Sequence, residues 1–120
     1  MTKEKNLEYM KQLKEIGIPQ VSKEYINVNK NDGQFHSCDK YSVCQMYEEL
    51  YSNFNTDELL EHLPKEIEYK KQWHDLRLRF MDKDSCELEY IGEYDGELLY
   101  IEGESIRECI ILAIIKLKKI

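Results

Sequence analysis

At 120 residues, with 42% hydrophobic and 34% charged residues, the chain has the composition of one globular domain rather than of a disordered segment. A formal net charge of −7 argues against a general nucleic-acid binder, whose affinity comes from Lys and Arg displacing counterions. No apolar run approaches the roughly 20 residues that span a bilayer. The charged, periodic start lacks the apolar region of a signal peptide, so the expected location is the cytoplasm.

The first predicted element is a helix from Thr2 or Lys3 to Ile16. Leu7, Met10, Leu13 and Ile16 recur at helical spacing, and Gly17 before Ile18-Pro19 supplies a stop. Ser22 to Val28 is compatible with a capped short helix or with an edge strand. Asn29 to Lys40 is polar, carries Asp32-Gly33 and reads as a loop. A second helix is predicted from Tyr41 to Ser52, with Val43, Met46, Tyr47 and Leu50 as its stripe. A third, short one starts at Asn55 or Thr56, turns Leu59, Leu60 and Leu63 inward, and ends at Pro64.

From Glu66 the period changes from helical to two. Leu76, Leu78 and Phe80 alternate with Arg77, Arg79 and Met81, which predicts a half-buried strand from Trp73. Asp82 to Ser85 is a turn cluster, after which Cys86, Leu88 and Tyr90 alternate with Glu87, Glu89 and Ile91. Tyr94-Asp95-Gly96-Glu97 suits a type I′ hairpin turn, and Leu98 to Glu102 returns as a third strand. Ser105 and Glu108 form a Ser-x-x-Glu capping box before a helix whose face carries Ile106, Cys109, Ile110, Ala113, Ile114 and Leu117. Ile111, Leu112 and Ile115 widen its apolar surface until most sides must be buried.

The fold class expected is therefore α+β, with a three-stranded antiparallel meander packed against a C-terminal helix and additional N-terminal helices. The expected organisation is a single domain over residues 1–120, with a helical half over 1–54 and a helix–meander–helix half over 55–120. That second half resembles small phage and prophage proteins of Gram-positive bacteria with an ABA-sandwich-like domain. Asp57 to Lys65 (DELLEHLPK) match one signature and Gly103 to Leu117 (GESIRECIILAIIKL) another, with Cys109 where a small residue is commoner. The resemblance implies a small antiparallel sheet with helices on its two faces and a mobile-element context, not a mechanism.

Candidate sites are few. His36, Cys38 and Cys44 supply three possible metal ligands where structural zinc takes four, so they read first as loop and packing residues. His36 and Cys38 form no recognisable nucleophile–base arrangement. His62 and His74 read as surface or capping histidines. Between Asp82 and Glu108, ten acidic residues face only Lys83 and Arg107, an excess of eight negative charges. Asp82, Asp84, Glu87, Glu89, Glu93, Tyr94, Asp95 and Glu97 are the candidate partner-binding residues, set against the plainer reading of a solvated sheet edge. Nine tyrosines add interface-forming surface.

These features predict a non-enzymatic, protein-binding accessory protein of a phage or prophage, acting as an acidic inhibitor of a host or defence protein. No catalytic residue, cofactor, metal, nucleic acid or membrane is expected. The alternatives are a homodimeric scaffold built on the apolar C-terminal helix, and a small-ligand or metal-binding module using residues 29–44.

Overall fold

A computed structural model describes residues 1–39, 48–83, 85–92 and 96–119. Among them are three helices and two antiparallel sheets, of three and four strands, so the chain is α+β. It divides into two compact units, Met1–Asn55 and Thr56–Ile120.

In the first unit, α1 (Lys3–Glu15) begins at Thr2, whose hydroxyl accepts from the Lys5 amide at 3.1 Å. It buries Leu7, Met10 and Leu13. Gly17 ends it at φ +92°, with Ile18 N donating to Leu13 O and Gly17 N to Lys14 O, the paired bonds of a Schellman close. The segment left open between helix and strand is a strand, β1 (Glu24–Asn29). It is the central strand of a sheet ordered β2-β1-β3, in which β2 is Phe35–Asp39 and β3 is Glu48–Ser52.

The helical first half is thus corrected to one helix and a sheet. Only residues 30–34 of the predicted loop form a turn, closed by Asn29 N to Gln34 O at 2.8 Å with Gly33 at φ +74°. Phe35 to Asp39 continue as a strand. Being at the sheet edge, that strand needs no continuous apolar face, which is why a polar stretch could form it. Of the helix predicted over 41–52, residues 41–47 lie outside the described residues. Glu48 to Ser52 pair antiparallel with β1 instead, because ladder bonds to Ile26, Asn27 and Val28 outweigh an incomplete helical stripe.

The second unit opens with α2 (Thr56–Leu60), which buries Leu59 but leaves Leu60 exposed; Leu63, just beyond it, is buried. A strand not anticipated, β4 (Glu66–Tyr69), then pairs with β5 (Gln72–Asp82). The two-residue turn between them holds Lys70 at φ 51° and Lys71 at φ 65°. Turns with two positive φ values are normally Asn-Gly or Asp-Gly, so a Lys-Lys turn carries no sequence signal. Strands β6 (Ser85–Gly92) and β7 (Glu97–Gly103) complete an antiparallel sheet of order β4-β5-β6-β7, four strands where three were expected.

Helix α3 (Ile106–Leu117) lies on β6 and β7. Ser105 Oγ accepts from Glu108 N at 3.1 Å, the first bond of the predicted capping box, while Glu108 Oε1 accepts at 3.1 Å from Glu104 N, one residue ahead of the cap. Leu88, Tyr90, Ile101, Cys109, Ile110 and Ile114 are buried. The Tyr90 hydroxyl donates to Pro64 O, and burial pushes its pKa up to about 12. Ile111 and Ile115, which widen the helix's apolar surface, are also buried within this one chain. No described helix is long and apolar enough to cross a membrane.

Candidate functional site at the open edge of the four-stranded sheet

Strand β5 outruns its outer neighbour. Register pairs join Glu66–Tyr69 to Gln72–Asp75, and one further bond runs from Leu76 N to Lys65 O at 2.9 Å. Pro64 precedes that point, and Leu63 N is already turned back to Leu60 O. From Arg77 to Asp82 the strand therefore pairs only with β6 among the described residues. The Leu76 amide faces the β4 side, and ladder polarity alternates every second residue, so the N–H and C=O groups of Leu78 and Phe80 face the open side.

The side chains along this stretch form two rows. Leu76, Leu78 and Phe80 pair across with Tyr90, Leu88 and Cys86. They were expected to face inward, but only Leu76 is half-buried. Leu78 is 36% exposed, Phe80 72% and the neighbouring Met81 58%. The reason is placement: α3 packs on β6 and β7, and β5 runs past its cover. The apolar row thus meets solvent beside unpaired backbone.

The opposite row is charged. Arg77 pairs across with Glu89, and Arg79 with Glu87. Arg79 Nη2 lies 3.2 Å from Glu87 Oε2 and 3.4 Å from Glu89 Oε1. Tyr100 on β7 donates to Glu87 Oε1 at 2.6 Å, with Glu102 Oε1 3.1 Å from the same hydroxyl. The hydrogen bond that Tyr100 donates to the Glu87 carboxylate keeps the tyrosine above its ordinary pKa. Glu87 and Glu89 are buried while Arg79 remains largely exposed, so one guanidinium serves two carboxylates.

Two of the candidate contact residues, Glu87 and Glu89, are therefore buried, while Asp82, Glu97, Glu102 and Glu104 are exposed. Glu87 and Glu89 are engaged by Arg79 and Tyr100 rather than displayed. Asp82 lies at the end of β5 and Glu97 at the start of β7. Asp84, Glu93, Tyr94 and Asp95 lie outside the described residues, and with them half of the Tyr94–Glu97 turn. No sequence signal marked the edge itself, because it depends on where β4 stops.

The remaining candidates fall elsewhere. His36 and Cys38 sit two residues apart on β2, opposite Asn27 and Tyr25; Cys44 lies outside the described residues. Among the described residues no group of three or more His, Cys, Asp or Glu could hold a metal. His74, expected at the surface, is buried: its ring lies against Gly92, where a Cβ would come within 3.1 Å of it. A cleft of about 490 Å³ is lined chiefly by Ile67, Leu98, Ile114 and Leu117, with His62 and Lys118 among its polar residues. In the first unit, Lys14 Nζ lies 3.4 Å from Glu49 Oε1 and 4.8 Å from the Tyr51 ring centre, tying α1 to β3. The Tyr51 hydroxyl bonded to Glu49 lowers that carboxyl's pKa, while burial and the same bond push Tyr51 up to about 12.

Comparison of the chain with protein-family models, with curated proteins and with solved structures finds no match.

Proposed function

We propose that this chain is a non-enzymatic protein-binding accessory protein, acting by occupying a partner's surface, with the open edge of β5 as the contact. The observation that carries the reading is the coincidence of unpaired backbone at Leu78 and Phe80 with exposed Leu78, Phe80 and Met81. Soluble proteins usually blunt such an edge with charge, proline or a covering element, since it templates pairing with another chain. Among the described residues, the Arg77/Arg79 row and the register shift between Phe80 and Asp82 are what moderate it. Strand addition at an exposed edge is a recurrent mode of protein recognition, with main-chain bonds supplying affinity and alternate side chains supplying specificity.

The apolar C-terminal helix gives less support to the scaffold alternative, because its isoleucines from 110 to 115 are buried without a second copy. The test is capture from a cell lysate by wild-type chain and by the double variant Phe80→Asp/Met81→Lys. Both positions are exposed, so the substitutions leave the core intact. Proteins identified by mass spectrometry should be retained by the wild type and lost with the variant. An identical set from both would overturn the edge as the contact.

A further inference from the structure

We propose that the open edge of β5 takes up an extended partner segment in which acidic and apolar residues alternate, adding it to the sheet as a further strand. The inference rests on the protein-binding reading above and specifies its partner. Its warrant is the strand that β5 already selects on its other side. There β6 reads Cys86-Glu87-Leu88-Glu89-Tyr90, and the register sets Glu89 opposite Arg77, Leu88 opposite Leu78, Glu87 opposite Arg79 and Cys86 opposite Phe80. Cross-strand neighbours are the unit of sheet stabilisation, and β5 presents the same two rows to both of its sides. A strand on the open side meets arginines on one face and Leu78 and Phe80 on the other.

The arginines are available to it. Arg79 is 59% exposed even while bridging Glu87 and Glu89, and Arg77 is exposed without an ion pair among the described residues. The second unit is acidic as a whole, with sixteen Asp and Glu against ten Lys and Arg, a net −6. At physiological salt, however, exposed charges beyond about 8 Å are largely screened, whereas the incoming acids would lie directly opposite Arg77 and Arg79. A second copy of β5 is the poorer occupant. Antiparallel registers centred on Leu78, Arg79 or Phe80 set Arg77 against Arg79, Arg79 against itself, or Arg77 against Lys83. Like charges directly opposite are destabilising.

The experiment uses the full chain and a labelled, terminally capped peptide with the sequence of residues 85–91, its cysteine replaced by valine. A counterpart carries lysine at both glutamate positions. Fluorescence anisotropy should show the acidic peptide binding about tenfold more tightly, as expected when two cross-strand pairs change from attraction to repulsion. Arg77→Glu, an exposed substitution, should abolish or reverse that preference. Leu78→Pro removes an N–H on the open side, where strand proline is tolerated, and should weaken the acidic peptide at least tenfold, with circular dichroism checking the fold. Equal or tighter binding of the lysine peptide, binding of neither, or a preference untouched by Arg77→Glu would overturn the acidic–apolar rule. If partner capture is still lost with Phe80→Asp/Met81→Lys, protein binding at this edge stands and only the partner's chemistry is wrong. If capture is also unaffected, both fall together.

Discussion

A Cβ at position 103 would come within 2.9 Å of Cys109 Sγ and 3.2 Å of Glu108 Oε1, so the start of α3 can approach β7 only over a glycine. Cys86 pairs across from Gly103, and the Cys109 thiol donates to its carbonyl at 3.3 Å. Burial pushes that thiol up to about 11, so Cys109 acts as a small packed group rather than a nucleophile. Gly103→Ala should cost about 1–3 kcal/mol, the usual range for overpacking, measured by urea unfolding. Adding Cys109→Ala should recover part of that loss, since it removes the nearer obstacle; a strictly additive double variant would show the clash to lie elsewhere. The sequence placed Cys109 on the helix's apolar face, and the structure agrees. That Gly103 faces it could not be read, because the two meet only when helix and sheet dock.

At the scale of elements, the turn at Lys70-Lys71 is the costly one. Both residues hold positive φ, which costs an L-amino acid roughly 1–2 kcal/mol each and costs Asn or Gly less. Replacing the pair with Asn-Gly should therefore raise the stability of the second unit by about 1–2 kcal/mol, read as a higher urea midpoint at unchanged slope. An unchanged or lower midpoint would mean that the lysines contribute something beyond the turn. This hairpin also shows why β4 escaped the sequence reading. Glu66-Ile67-Glu68-Tyr69 alternates correctly, but without a turn signal beside it four residues are too few to distinguish from a helix tail. Where alternation ran longer, as through β5 to β7, or helical spacing persisted, as in α1 and α3, the elements were legible. β2 and β3 were not, since an edge strand needs no apolar face and a short apolar stripe fits two periods.

At the scale of the molecule, each unit carries a tyrosine that resists ionisation. Tyr51 in the first and Tyr90 in the second are each pushed from 10.0 up to about 12, in both cases chiefly by burial. A folded-state pKa above the unfolded value means stability is fully present below about pH 10 and is lost as pH rises toward 12. The chain should therefore lose cooperative structure over that window, with tyrosinate absorbance rising together with the loss of circular dichroism. Titration of all nine tyrosines near pH 10 with the fold intact would contradict the burial. Charge is divided as unevenly as the fold: the first 55 residues sum to −1 and the remainder to −6. The structure draws part of that acidity inward, onto Arg79 and Tyr100.

The amino-acid sequence alone determined which faces are apolar. Local periodicity of 3.6 or two, together with a capping serine and a stopping glycine, marks α1, the strands β5 to β7 and α3 in the sequence. What it could not determine is which neighbour covers each face and where that cover ends. Phe80 carries the same alternation as Leu76, yet Leu76 is half-buried and Phe80 is in solvent, because α3 lies over β6 and β7 and β4 stops at Glu66. Glu87 and Glu89 carry the same charge as Asp82, yet they are buried because Arg79 and Tyr100 arrive from adjacent strands. Burial and strand order are non-local quantities, settled by docking, and the open edge of β5 is a product of both.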